Sequence, residues 1–178
     1  MQNEMNEKYE FRHAVREDAD TIFALYRSLA GTPYCAWDEN YPTRSNLEED
    51  LAARSIYCLC EGRKIIAVAT AMHCPEHDVF PWSSAIRNPC ELMRVGVARD
   101  RQGCGVGALL LGKMVEASRD AGYDGMRILV SRKNLPAVKL YRNAGAQYRG
   151  ETTAYGIDWF CYEIVYSEQK SPKGNGPS

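Results

Sequence analysis

Glycine stands at positions 103, 105 and 107 of the stretch RQGCGVGALLLGKM, directly ahead of a run of leucines. Glycine at the mouth of a helix costs backbone entropy, so the three positions serve either a tight turn or the exposure of backbone N–H groups to an anion. Two familiar phosphate-binding patterns fit poorly. Gly103-x-Gly105-x-x-Ala108 satisfies the relaxed dinucleotide fingerprint, but residues 98–102 separate it from the preceding strand. The next strand also ends in Val130, Ser131 and Arg132 where that fingerprint wants an acidic residue. A Walker loop needs Lys-Ser/Thr after the last glycine, and Ala108-Leu109 stands there. Taken alone, the segment is either an anion cradle or a glycine-rich turn before a core helix.

Other residues offer other chemistry. His73, Cys74 and His77 with Cys58-x-Cys60 suggest zinc. Pro75 breaks a helical spacing of the histidines, however, and Cys-x-Cys on an apolar strand belongs to a core, so no metal is expected. Cys104 invites a nucleophilic reading, but no histidine is placed near it by the sequence. The stretch YCAWDENYP joins two helices and carries Trp37, Asp38, Glu39 and Tyr41, which suit an amine through cation–π and charge attraction. The same residues suit a solvated loop with one buried aromatic.

Composition bounds the partners. The chain has 178 residues, 45% of them hydrophobic, with a net charge of -1. That suits one domain with an adequate core and argues against a sequence-independent grip on nucleic acid. No apolar run approaches the ~20 residues of a membrane helix, and the start MQNEMNEKYE does not read as a signal peptide. Seven scattered cysteines, an odd number, read as reduced thiols in the cytoplasm.

The elements that would position these residues form one α/β unit over 10–166, between a flexible start (1–9) and a disordered tail (167–178). Periodicity and turn residues predict a strand over 11–15, a helix beginning near 17–20, and a second helix over 44–54. Two β-rich runs flank Glu61-Gly62-Arg63-Lys64 as a hairpin. CELMRVGV is a further strand, followed by a helix to about residue 121 with Val106, Leu109, Leu110, Met114 and Ala117 as its apolar stripe. A strand over 126–131, a short helix over 136–144 and a last strand in IDWFCYEIVY complete the set. Gly96 within its strand marks a bulge, a close backbone approach or plain packing space. By alternation Glu91 shares a face with Met93, Val95 and Val97.

Gln102-x-x-Gly105-x-Gly107 after a strand ending in Val97 resembles the acetyl-CoA motif of the GCN5-related N-acetyltransferases. About thirty residues later, Asn134-x-x-Ala137-x-x-Leu140-Tyr141-x-x-x-Gly145-Ala146 resembles their second motif, with Ala146 where the family usually has Phe. The order of elements agrees over 10–166. The resemblance implies a mixed, largely antiparallel sheet flanked by helices, with a splayed strand pair holding acetyl-CoA. It implies a pyrophosphate cradle of Gln102, Gly103, Cys104, Gly105, Val106 and Gly107, a pantetheine arm along the backbone of Val95 and Val97, and a cofactor contact from Asn134. Asn134 also suits a helix cap. The acetyl group then passes directly to a primary amine in a ternary complex. The resemblance makes Tyr141 the candidate general acid to the thiolate, the alternative being a core tyrosine, and the Val95 or Val97 N–H is the candidate oxyanion donor. Glu91 is the candidate base, or else a carboxylate that anchors substrate or pairs with Arg94. Trp37, Asp38 and Tyr41 are the candidate acceptor residues. Direct transfer leaves Cys104 no covalent role. The acceptor is a small-molecule or peptide amine, and homodimers are common in the family. A peptide-modifying enzyme and a non-catalytic acyl-CoA sensor on the same fold are the alternatives.

Overall fold

The computed structural model describes residues 8–166, so the expectations for residues 1–7 and for the tail 167–178 lie outside the described residues. Seven strands form one sheet in the order β1-β2-β3-β4-β5-β7-β6. They are β1 Glu10–His13, β2 Ile56–Glu61, β3 Lys64–Met72, β4 Pro89–Val97, β5 Gly125–Ser131, β6 Gln147–Ala154 and β7 Ile157–Val165. Only β4 and β5 run parallel, and every other neighbouring pair is antiparallel. The α-helices are α1 Ala19–Leu29, α2 Arg44–Ala52, α3 Val106–Asp120 and α4 Leu135–Asn143, with short 3-10 turns at Arg16–Asp18, Pro75–His77 and Arg99–Arg101.

Helices cover both faces, which is why β3 is buried along nearly its whole length. On one face Ile22 and Tyr26 of α1 and Leu47 of α2 pack on Cys58, Cys60 and Val68. On the other, Leu110 and Met114 of α3 and Tyr141 of α4 pack on Leu59, Ile66, Leu92, Met126 and Ile128. Cys58 and Cys60 are thus core residues. α3 buries Val106, Leu110, Leu111, Met114 and Ser118. Leu109 and Ala117, expected in the stripe, sit half-buried at its flanks, and the Ser118 hydroxyl bonds that of Tyr166. Strand β6 has no counterpart in the segment-by-segment reading. Its sequence QYRGETTA lies at the sheet edge and is mostly half-buried or exposed, so it carries no apolar alternation.

The feature that shapes the centre of the sheet is a bulge in β4. Thr70 pairs with Met93 and Val68 with Gly96, so β4 holds one residue more than β3 across that interval. Arg94 takes the strain there, with φ at 48°. Directly paired residues point to the same face. Glu91, Met93 and Gly96 therefore share one face, and Leu92 and Val97 share the other. The expected common face of Glu91 with Val97 is corrected, because the extra residue reverses the alternation. Gly96 is not the bulged residue. A Cβ there would meet Leu29 Cδ1 at 3.0 Å and Trp37 at 3.4 Å, so its smallness admits α1 and the following loop.

β4 and β5 pair only from Pro89↔Gly125 to Leu92↔Ile128. β5 runs on to Ser131 against β7 alone. Beyond Leu92 the two central strands diverge.

Candidate active site

The divergence opens a cleft of about 660 Å³ through the middle of the sheet. Met93, Arg94 and Val95 form one wall, Leu129, Val130 and Ser131 the other, and Glu91 and Tyr141 both line it. Trp37, Asp38 and Tyr41 reach it from the loop after α1, and Tyr155, Ile157 and Trp159 from the β6–β7 hairpin. The structure therefore brings the candidate acid, the candidate base and all three candidate acceptor residues into one cavity. Asn134 lines it as well, and its side-chain oxygen accepts from the Ala137 N–H at 3.1 Å. Asn134 is thus a helix cap, with its amide nitrogen left for another partner.

Glu91 is 2% exposed. Neither of its side-chain oxygens has a hydrogen-bond partner among the described residues. The expected pairing with Arg94 is absent; the near cation is Arg127, whose Nη1 stands 3.8 Å from Oε1 and is held by Asp78 at 2.6 Å. Burial pushes the Glu91 carboxyl up to about 8, outweighing the lowering pull of the Cys74 backbone N–H and of Arg127.

Arg94 instead binds Asp50 of α2. Its Nε and Nη2 donate to the two carboxylate oxygens, each at 2.7 Å, and its Nη1 donates to the Tyr41 hydroxyl at 3.0 Å. The Thr70 hydroxyl adds a third bond to Asp50 at 3.1 Å. Asp50 lies 44 residues from Arg94, so sequence spacing carried no signal of the pair. Tyr41 itself is fixed by this bond and by the Asp38 N–H donating to its carbonyl at 3.2 Å.

Tyr141 is 5% exposed, and burial raises its phenol above the ordinary range. It stays protonated at neutral pH, as a proton donor must.

The cradle residues lie between β4 and α3. Gly103 and Gly105 have φ of 75° and 86°, the left-handed region, and Gly105 is the N-cap of α3. These two glycines are needed for the turn itself. Gly107 differs: a Cβ there would meet Leu140 of α4 at 3.4 Å, so it lets two helices approach. The first turn of α3, Val106 onward, leaves N–H groups without intrahelical acceptors. The Gln102 amide donates to the Val97 carbonyl at 3.0 Å, tying the loop to the end of β4. Cys104 is exposed, its thiol on the Arg101 carbonyl at 2.9 Å. Arg101 is engaged with Glu61 at 2.6 Å and Asp100 at 3.1 Å.

The sequence set Cys74 and His77 beside His73 and Cys58-x-Cys60 and led to no expected metal; the structure instead groups Cys74 and His77 with Glu91. Pro75 begins the 3-10 turn Pro75–His77, which folds Cys74 and His77 back onto β4. Cys74, His77 and Glu91 each bring a ligand-type atom within 4.8 Å of the others. His73 stands apart, paired with Asp78 at 3.2 Å. Burial, with Glu76 beside it, pushes the Cys74 thiol up to about 12, against a nucleophile's need.

A protein from Salmonella typhimurium, yncA, solved with its cofactor acetyl-CoA, is 18% identical, with 93% of this chain and 98% of that one covered at a TM-score of 0.71. A GNAT-family acetyltransferase from Streptococcus agalactiae is 17% identical, with 90% and 96% covered and a TM-score of 0.76. A ribosomal-protein-alanine N-acetyltransferase from Brucella melitensis is 20% identical, with 88% and 99% covered and a TM-score of 0.69. These likenesses establish the fold. No curated protein sequence matches the chain. The family model for the acetyltransferase (GNAT) family matches residues 15–146. With most of its length inside that match and its sheet splayed at β4 and β5, the chain belongs to the acetyltransferase (GNAT) family.

Proposed function

We propose that the protein moves an acetyl group from acetyl-CoA to a primary amine by direct transfer within a ternary complex. The observation that carries this reading is the splayed β4–β5 cleft, which a buried carboxyl and a buried phenol both line. The exposed turn at Gly103 and Gly105 and the first turn of α3 suit a diphosphate. The free edge of β4 beyond Leu92 suits an extended arm that bonds backbone at Val95 and Val97. Asn134 offers its amide nitrogen to the same ligand.

Acetyl-CoA, when bound, supplies the activated thioester. Glu91 takes the ammonium proton, directly or through a water, and leaves a neutral amine to attack. The Val95 or Val97 N–H stabilises the developing oxyanion, and the Tyr141 hydroxyl protonates the departing thiolate. The acceptor end favours a cationic amine. Asp38, Glu49 and Glu76 line it as exposed carboxylates, whereas the cavity's one arginine, Arg94, is already neutralised by Asp50. Trp37 and Tyr41 offer aromatic faces beside them. Seven free cysteines and no disulfide among the described residues support a reducing compartment, the cytoplasm.

The test is release of free CoA thiol across polyamines, amino acids, aminoglycosides and peptides. Turnover is expected with a cationic small amine. Turnover with peptides alone would move the assignment to a protein-modifying enzyme. Tight cofactor binding with no release on any amine would leave a non-catalytic sensor.

A further inference from the structure

The Cys74, His77 and Glu91 cluster has a composition and an environment that transfer to an amine does not require. Glu91 and His77 are 2% and 7% exposed. Both Glu91 oxygens and the His77 Nδ1 lack hydrogen-bond partners among the described residues. A buried polar atom without a partner is costly, and a ligand-type atom of each of these two residues lies within 4.8 Å of the Cys74 thiol. Thiol, imidazole and carboxyl are the donor types that zinc accepts together. The other ring nitrogen, Nε2, is bonded to the Tyr155 hydroxyl at 3.1 Å. An outer partner of this kind fixes a ligating imidazole.

We propose that Cys74, His77 and Glu91 form a binding site for a thiophilic divalent cation, zinc foremost, at the acceptor end of the cleft. Three protein ligands leave a fourth position for water or substrate, which faces the cavity that all three residues line. Ligand atoms around tetrahedral zinc sit about 3.5 Å apart. The present separations lie within 4.8 Å, so a small inward shift suffices to close the cluster on an ion. Two of the three ligands belong to the turn at Pro75–His77 and the residue before it, not to a ladder, and can follow. On binding, the Cys74 thiol and the Glu91 carboxyl give up their protons to solvent, and no redox change occurs. Arg127 lies 3.8 Å from Glu91 Oε1 and remains committed to Asp78. A cation held on Glu91 also occupies the carboxylate assigned to the amine proton, so it switches transfer off. That consequence rests on the proposed reaction, whereas the binding does not.

The experiment uses the full chain with cobalt(II) as a coloured substitute for zinc, in the absence of acetyl-CoA and amine. One equivalent is expected to bind with a thiolate-to-cobalt charge-transfer band, and zinc is expected to displace it. Cys74→Ser should abolish the band, and His77→Gln should weaken binding roughly 100-fold, at or above the 10–100-fold typical of lost outer partners. Cys35→Ser, which alters another thiol of the same cavity, should change nothing. In the unaltered protein, zinc should shield Cys74 from iodoacetamide, a readout that needs no variant to fold. No binding, a spectrum without the thiolate band, or a band that survives Cys74→Ser would overturn the site. A failed CoA-release assay would leave it standing.

Discussion

Asp50→Asn should destabilise the protein far more than a surface charge change. The Asp50 carboxylate is 3% exposed at its side chain and Arg94 11%. Two bonds of 2.7 Å join them. Neutralising Asp50 leaves a guanidinium buried without its anion, and breaking such a pair costs about 3–5 kcal/mol. At ~2–4 °C per kcal/mol for a chain of this size, Tm should fall by roughly 6–20 °C. Arg94 has a second liability, its φ of 48°. A non-glycine residue held there gives up about 1 kcal/mol that glycine would not. Arg94→Gly should therefore be more stable than Arg94→Ala by about that amount, though less stable than the parent if the ion pair outweighs the strain. Thermal unfolding at neutral pH of Asp50→Asn, Arg94→Ala, Arg94→Gly and the Asp50→Asn/Arg94→Ala double variant checks each step. The double variant should lose less than the sum of the singles, by about 0.5–3 kcal/mol. An additive double variant, or an Asp50→Asn protein that melts within 2 °C or so of the parent, would refute the assignment of this pair as the clamp on the bulge.

Four further outcomes are expected. Glu91→Gln should lower kcat with little change in the acetyl-CoA KM, measured at saturating amine; a rise in amine KM alone would make Glu91 an anchor. Tyr141→Phe keeps the ring packing and should cost on the order of 10²-fold in kcat, read where chemistry limits turnover. Gly125→Ala places a Cβ 2.4 Å from Ile86 Cδ1, so Tm should drop, with partial recovery in Gly125→Ala/Ile86→Val. Arg12 holds the Asp18 carboxyl below its ordinary range through bonds of 2.6 and 3.0 Å. Its contribution is full above the unfolded value of about 3.9 and is lost as pH falls through the lower folded value, so denaturant titrations of Asp18→Asn and parent should converge in acid.

What the sequence made legible follows the range of the forces involved. Gly103, Gly105 and Asn134 were readable because turn and cap geometry are local: the two glycines take left-handed φ and Asn134 caps its helix. Strand β6 escaped because an edge strand with polar faces has no alternation to detect. The face of Val97 was misjudged for a related reason: period two holds only while no residue is inserted, and Arg94 is the insertion. A left-handed arginine inside a strand leaves no mark on composition. It persists because Asp50, on a helix remote in sequence, repays the strain with two charge-assisted bonds. The same bulge accompanies the parting of β4 from β5. A helical carboxylate outside every motif holds the arginine at the point where the sheet opens. Motifs show what an opening of this kind can bind; the Asp50–Arg94 pair braces the bulge that stands beside it.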